Sequence, residues 1–122
     1  MGASFGKEDI VQYAKNTYGT EPERLWAKFP DYAVLRRADS GKWYAVLMDI
    51  PRDRLGLSGM GNASIMNVKC DPAMVGSLRG KAGYFPAYHM NKANWVTVLL
   101  EGQVCQDEIL YLLDCSYGLT AK

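Results

Sequence analysis

A β-hairpin places the strongest constraint on how this chain can fold. Two strand-like segments, residues 33–38 and 42–50, are joined by Asp39-Ser40-Gly41, a sequence typical of a tight turn. Such a short connection permits only antiparallel pairing, because parallel strands need a crossover of a dozen or more residues. Side chains alternate in direction along a strand, so the second arm has one cleaner apolar face, which we expect to point into the core: Tyr44, Val46, Met48 and Ile50.

The rest of the chain predicts helices that alternate with groups of strands. Helical spacing and helix-end signals mark residues 7–18, 72–79 and 107–117. Strand patterns mark residues 64–69, 83–86 and 95–100. The predicted order is α-β-β-β-α-β-β-α. Short connections between strands favour a two-layer α+β fold, an antiparallel five-stranded sheet with helices on one face and its other face open.

Size and composition predict one domain over residues 1–122. Apolar residues make up 48% of the chain and charged residues 22%, which is typical of a globular protein. No apolar run approaches the roughly 20 residues of a membrane helix. Residues 1–7 have no apolar stretch of signal-peptide length. We therefore expect a cytoplasmic protein without a membrane partner.

The cysteines and the single histidine argue against a disulfide framework and a metal centre. Cys70, Cys105 and Cys115 are odd in number and widely spaced, and none lies in a C-x-x-C pair. His89 alone cannot complete a zinc set with them at any usual spacing. We expect each cysteine to be a small buried side chain and the protein to hold neither metal nor cofactor.

Basic residues are concentrated in the middle of the chain. Residues 33–92 carry nine Lys or Arg and four Asp or Glu, a net charge of +5, whereas the whole chain carries +1. A single layer built from this segment would present a positive surface that suits phosphate groups. The candidate nucleic-acid-binding residues are Arg36, Arg37, Lys42, Arg52, Arg54, Lys69 and Lys92. Against this hypothesis, the pI of 7.7 lies below the value of about 9 that is usual for committed nucleic-acid binders.

A dense polar block precedes the strongest predicted strand. Its candidate pocket residues are Tyr88, His89, Asn91, Lys92 and Trp95, a set that could hold an anionic ligand. The same block could instead be a structural latch, with His89 and Asn91 bonded to backbone groups where two strands join. No nucleophile is tied to His89 by a known motif, so we expect a protein that is not an enzyme.

Three segments resemble the MmcQ/YjbR family over about residues 7–117. They are Lys69-Cys70-Asp71-Pro72, the run from Pro86 to Trp95 with its H-[ML]-N-K-x-x-W pattern, and Leu113-Asp114-Cys115-Ser116-Tyr117. Many members have His where this chain has Asn94, so a role that needs two imidazoles could not operate here. The resemblance implies a double-wing DNA-binding-like fold in a largely uncharacterised bacterial, cytoplasmic family.

The function hypotheses therefore concern binding. The first is DNA binding through the basic hairpins, the loop and the open sheet face. The alternative is a non-catalytic small-molecule or protein-interaction module with its pocket around His89, Asn91, Lys92 and Trp95. The open face would also suit a protein partner or a second copy of the chain.

Overall fold

The five strands of the computed structural model form one antiparallel sheet, which confirms the predicted fold class. The structure describes residues 5–121, so the expectation about residues 1–7 lies mostly outside the described part. The sheet order is β1-β2-β3-β5-β4. The elements are α1 (Lys7–Tyr18), β1 (Ala33–Arg36), β2 (Trp43–Pro51), a 3₁₀ turn (Arg52–Leu55), β3 (Asn62–Lys69), α2 (Pro72–Leu78), β4 (Tyr84–Pro86), β5 (Trp95–Leu99) and α3 (Gln106–Leu119).

A β-bulge in the hairpin changes which face each residue of β2 occupies. Leu35 pairs with Ala45 whereas Arg36 pairs with Trp43, so Tyr44 is an extra residue without its own partner. Tyr44 therefore packs on the helix side together with Ala45. The four residues predicted to share one apolar face are all buried, but they do not share a face. Val46, Met48 and Ile50 lie on the side away from the helices.

The sheet is apolar on both faces. On the helix side, the three helices pack on a large cluster that includes Ile10, Leu47 and Leu113. On the other side, a second cluster contains Val46, Ile65 and Leu99. Phe85 of β4 packs on this second cluster, and segments outside the strands cover it with further partly buried side chains: Trp26, Tyr32, Leu55, Leu57, Tyr88 and Met90. The face that was expected to be open is thus covered by loops, because its apolar residues would otherwise meet water.

Helix α3 is fastened to the bulge by a buried serine. The Ser116 side chain is fully buried; its hydroxyl donates to the carbonyl of Tyr44 at 2.6 Å and accepts from the Lys69 amide at 2.9 Å. A bulge disturbs the regular strand ladder, so the hydroxyl supplies partners that the ladder does not. Nearby, Asp114 accepts hydrogen bonds from the hydroxyls of Tyr13 and Tyr18. The Asp-Cys-Ser-Tyr segment is therefore part of the packing between α1, α3 and the sheet.

Replacing Ser116 tests this fastening. We expect Ser116→Ala to lower the free energy of unfolding by about 2–3 kcal/mol, because it leaves a buried carbonyl and a strand amide without partners. Ser77→Ala is the matched control, since Ser77 is exposed and bonds only the carbonyl of Met74 in its own helix. Urea unfolding of both variants measures the difference. Equal losses in the two variants would show that the hydroxyl of Ser116 has no special role.

Buried tyrosines should make the fold sensitive to alkaline pH. Burial raises the pKa of Tyr44 to about 12, and burial together with the Asp114 carboxylate raises the pKa of Tyr18. Burial and Glu108 raise the pKa of Tyr84 in the same way. The folded chain thus keeps phenol protons that the unfolded chain loses above pH 10.0. This stabilisation is complete below pH 10.0 and is lost as the pH rises toward 12. Each such tyrosine steepens the fall by about 1.4 kcal/mol per pH unit.

Urea unfolding across this pH range measures the effect. Tyr44→Phe should weaken the pH dependence by about one proton, whatever its effect on stability at neutral pH. A free energy of unfolding that stays level through the range would contradict the expectation.

Candidate functional site

A buried polar pair holds the connection between β4 and β5 against the sheet. Asn67 and Thr97 are neighbours on β3 and β5, and both are fully buried. The Thr97 hydroxyl donates to Asn67 Oδ1 at 2.5 Å and accepts from the Tyr88 amide at 2.9 Å. Asn67 Nδ2 in turn donates to the Tyr88 carbonyl at 3.0 Å. This pair was not among the predicted site residues, although an Asn in the middle of an apolar strand is unusual.

His89 follows directly and has a left-handed backbone. Its φ is 60°, the only positive φ outside glycine in the described part of the chain. Its side chain is exposed, and its ring lies 4.1 Å from the Tyr88 ring between centroids. The next residue, Met90, packs on the second apolar cluster. His89 is thus the residue that turns the chain between two anchored neighbours.

A cleft of 360 Å³ lies between this connection and the 3₁₀ turn. Arg54 and Leu55 form one wall, and residues 85–89 together with Lys92 form the other. Phe85 and Tyr88 make part of the lining aromatic. Among residues 5–121, no acidic side chain lines the cleft, whereas an arginine, a lysine and a histidine do. The cleft therefore suits an anion next to an apolar or aromatic group.

Two of the five predicted pocket residues lie outside the cleft. Asn91 makes a turn: its Oδ1 accepts from the Ala93 amide at 2.8 Å, and its carbonyl accepts from the Trp95 amide at 3.0 Å. Trp95 is half-buried at the start of β5, paired with Lys69. The structure therefore brings Tyr88, His89 and Lys92 together and gives Asn91 a structural role.

Three of the seven basic candidates form ion pairs with carboxylates: Arg36, Arg52 and Arg37. Arg36 forms a two-pronged pair with Glu23 at 2.8 and 2.9 Å. Arg52 contacts Glu101 at 2.5 Å and the carbonyl of Ser58 at 2.8 Å. The Arg36 and Arg52 pairs join residues that are 13 and 49 positions apart in the sequence. Both guanidinium groups are therefore partly neutralised.

Arg37 has the largest set of internal contacts. It pairs with Asp39 at 2.7 Å, donates to the Tyr117 carbonyl at 2.7 Å and lies 3.9 Å above the Tyr117 ring. Its guanidinium holds the pKa of the Asp39 carboxyl at about 2. Arg37 thus attaches the hairpin to the end of α3.

Four basic candidates have no carboxylate partner in the described part of the chain, and two of them line the cleft. Arg54 lines it from the 3₁₀ turn and Lys92 from the connection between β4 and β5. Lys42 lies in the hairpin turn and Lys69 at the end of β3, and neither lines the cleft. Arg79 was not a candidate, yet it donates to the Lys92 carbonyl at 2.8 Å and so supports that wall. The basic middle segment does not form a single layer, since Arg79 follows α2, a helix.

Other chemical groups give no sign of a metal centre. No cluster of three or more His, Cys, Asp or Glu side chains suited to a metal occurs among the described residues. Cys70 is buried, and burial raises the pKa of its thiol to about 11. Cys105 is exposed and Cys115 half-buried, so the expectation that all three would be buried was wrong for Cys105. No helix in residues 5–121 has the length and hydropathy needed to cross a membrane.

The fold and the cleft define a small α+β domain with a cleft lined by basic and aromatic side chains. A family model described as YjbR matches residues 15–119, and the chain belongs to the YjbR family. It is 40% identical over 114 residues to the uncharacterized protein YyaQ of Bacillus subtilis, covering 93% of this chain and 97% of that protein. It is 37% identical over 57 residues to the uncharacterized protein YjbR of Escherichia coli, covering 46% and 48% of the two chains.

Solved structures agree with this assignment. A crystal structure of a Pseudomonas syringae protein has a TM-score of 0.91 and 47% identity, covering 94% of this chain and 98% of that one. Deinococcus radiodurans DR2400 has a TM-score of 0.72 at 22% identity, covering 93% and 77%, and shares the fold. The resemblance found from sequence motifs is confirmed.

Substitutions at two arginines should distinguish a side chain that stabilises the packing from one that is free at the surface of residues 5–121. We expect Arg37→Ala to lower the melting temperature, because it removes the contacts that join the hairpin to Tyr117. Arg54→Ala should leave the melting temperature within a degree or two, because Arg54 is exposed and bonds no carboxylate in the described chain. Thermal unfolding followed by circular dichroism measures both. A larger loss in Arg54→Ala than in Arg37→Ala would contradict the division.

Proposed function

We propose that the protein binds DNA without catalysing a reaction, and that Arg54 and Lys92 of the cleft contact phosphates of the strand. One observation carries the proposal: two cationic side chains that no carboxylate of residues 5–121 neutralises line the same cleft, one from the 3₁₀ turn and one from the β4–β5 connection. A guanidinium and an ammonium group both donate charge-assisted hydrogen bonds to phosphate oxygens. The exposed His89 ring adds a further polar contact at the cleft.

The aromatic lining favours a nucleotide unit over an isolated ion. Phe85 and Tyr88 lie beside the cations, and aromatic rings stack with bases whatever the base sequence. In this proposal, the cations position the backbone and the aromatic wall contacts a neighbouring sugar or base. Because stacking tolerates every base, binding should show little sequence preference. Because few phosphates are contacted, its affinity should be moderate. DNA binding would place the protein in the bacterial cytoplasm and agrees with the role that the MmcQ/YjbR resemblance implies.

The shape of the cleft supports a second candidate, a small anionic molecule. A volume of 360 Å³ falls within the range of about 300–1,000 Å³ that is common for small-molecule sites. A protein partner or self-association on the sheet face has less support, because loops cover that face. The non-catalytic part of the proposal is supported by His89, whose ring has no hydrogen bond to another side chain in residues 5–121.

A salt-dependent titration with a labelled DNA duplex and a single strand tests the proposal. We expect affinity to fall between about 50 and 200 mM salt, with a log–log slope of about −2 to −3 for two or three phosphate contacts. The double substitution Arg54→Gln and Lys92→Gln should weaken binding and reduce the slope by about two. Fluorescence anisotropy measures both quantities.

The matched control removes the same charge elsewhere. Lys42→Gln with Lys69→Gln changes two cations outside the cleft, so its affinity should stay close to that of the native chain. Equal losses in both double variants would indicate diffuse attraction without a site. Absence of binding at low salt would reject DNA as the ligand. Thermal stabilisation by nucleoside monophosphate or inorganic phosphate, lost only in the cleft variant, would then favour the small-molecule candidate.

A further inference from the structure

The polar pair under the cleft occupies an apolar position. Asn67 and Thr97 lie on the sheet face of the second apolar cluster, whose members include Ile65, Met48 and Leu99. Burying an amide and a hydroxyl is unfavourable unless both are hydrogen-bonded. Here they are: a closed ring of three hydrogen bonds joins the two side chains to both polar groups of the Tyr88 backbone. Two buried polar side chains thus hold the backbone of one residue.

Tyr88, whose backbone the ring holds, directly precedes His89, whose backbone is left-handed. Tyr88 is fixed by the ring and Met90 by apolar packing, which leaves His89 to reverse the chain with φ at 60°. Glycine adopts this conformation freely, whereas histidine, like asparagine, adopts it more readily than most residues but still at a cost in free energy relative to glycine. The histidine side chain therefore stands at a position where glycine would relieve a backbone cost.

We infer that Asn67 and Thr97 are positioning residues, whose ring with Tyr88 imposes the left-handed conformation that places His89 at the cleft. The ring determines where the imidazole meets the bound phosphate. This inference rests on the proposed function for the identity of the ligand, and on the structure alone for the positioning. It accounts for a polar pair that packing does not require.

Thr97→Val opens the ring while it keeps the shape of the side chain, and Thr97→Ser keeps the hydroxyl. The first readout is DNA affinity. We expect Thr97→Val to weaken binding to the same extent as His89→Gly, and Thr97→Ser to bind within about twofold of the native chain, a difference below about 0.5 kcal/mol. In a native chain that binds, unchanged affinity in Thr97→Val would overturn the inference.

The second readout needs no ligand. His89→Gly and His89→Ala both remove the imidazole, but only alanine bears the cost of the left-handed backbone. We expect the glycine variant to melt about 3–6 °C above the alanine variant. That gap should shrink when Thr97→Val is added, because the ring that imposes the conformation is gone.

The two readouts distinguish failure of the proposed function from failure of the inference. If the native chain does not bind DNA, the proposed function fails and the melting comparison still tests the positioning. A gap that is absent in the native background, or that stays the same size with Thr97→Val, would overturn the inference even in a chain that binds. A reduced gap with the Thr97→Ser chain behaving as native supports it.

Discussion

A sheet that is apolar on both faces is the constraint on which the rest of this structure depends. Helices cover one face, and residues 5–121 contain no further α-helix with which to cover the other. The second face is therefore covered by irregular segments between the regular elements. Apolar side chains such as Trp26 and Met90 supply the contact area. Since irregular backbone has unpaired polar groups, each covering segment must also find hydrogen-bond partners.

Those partners come from side chains, and they explain why so many polar residues are structural. The Asn67–Thr97 pair bonds the Tyr88 backbone, Arg52 bonds the carbonyl of Ser58, and Asn91 closes its own turn. A loop layer fixed in this way can have a defined cleft, because its walls are held to the sheet beneath them. The cleft thus exists because two loops meet over an apolar face and leave a gap between them.

Much of this could be predicted from the sequence, and the failures have physical causes. Turn residues and alternation were enough for the hairpin, and helix-end signals were enough for the three helices. The bulge at Tyr44 could not be predicted, because it depends on the register between two strands. The sequence did contain a signal that the second face is covered, but that signal is a continuous apolar run and not an alternating pattern. Nearly every residue from Tyr44 to Ile50 is apolar, a pattern typical of strands buried on both faces.

The candidate site shows why counting charges along a chain is a weak guide to a binding surface. Seven basic residues looked equivalent in the sequence, yet Arg36 pairs with Glu23 and Arg52 with Glu101, contacts across 13 and 49 positions. Tertiary pairing of this kind depends on the fold and has no local signature. What distinguishes Arg54 and Lys92 is that no carboxylate of the described chain reaches them, and that both border a cleft. A chain of net charge +1 can therefore present a concentrated positive site, provided its acidic residues are used elsewhere.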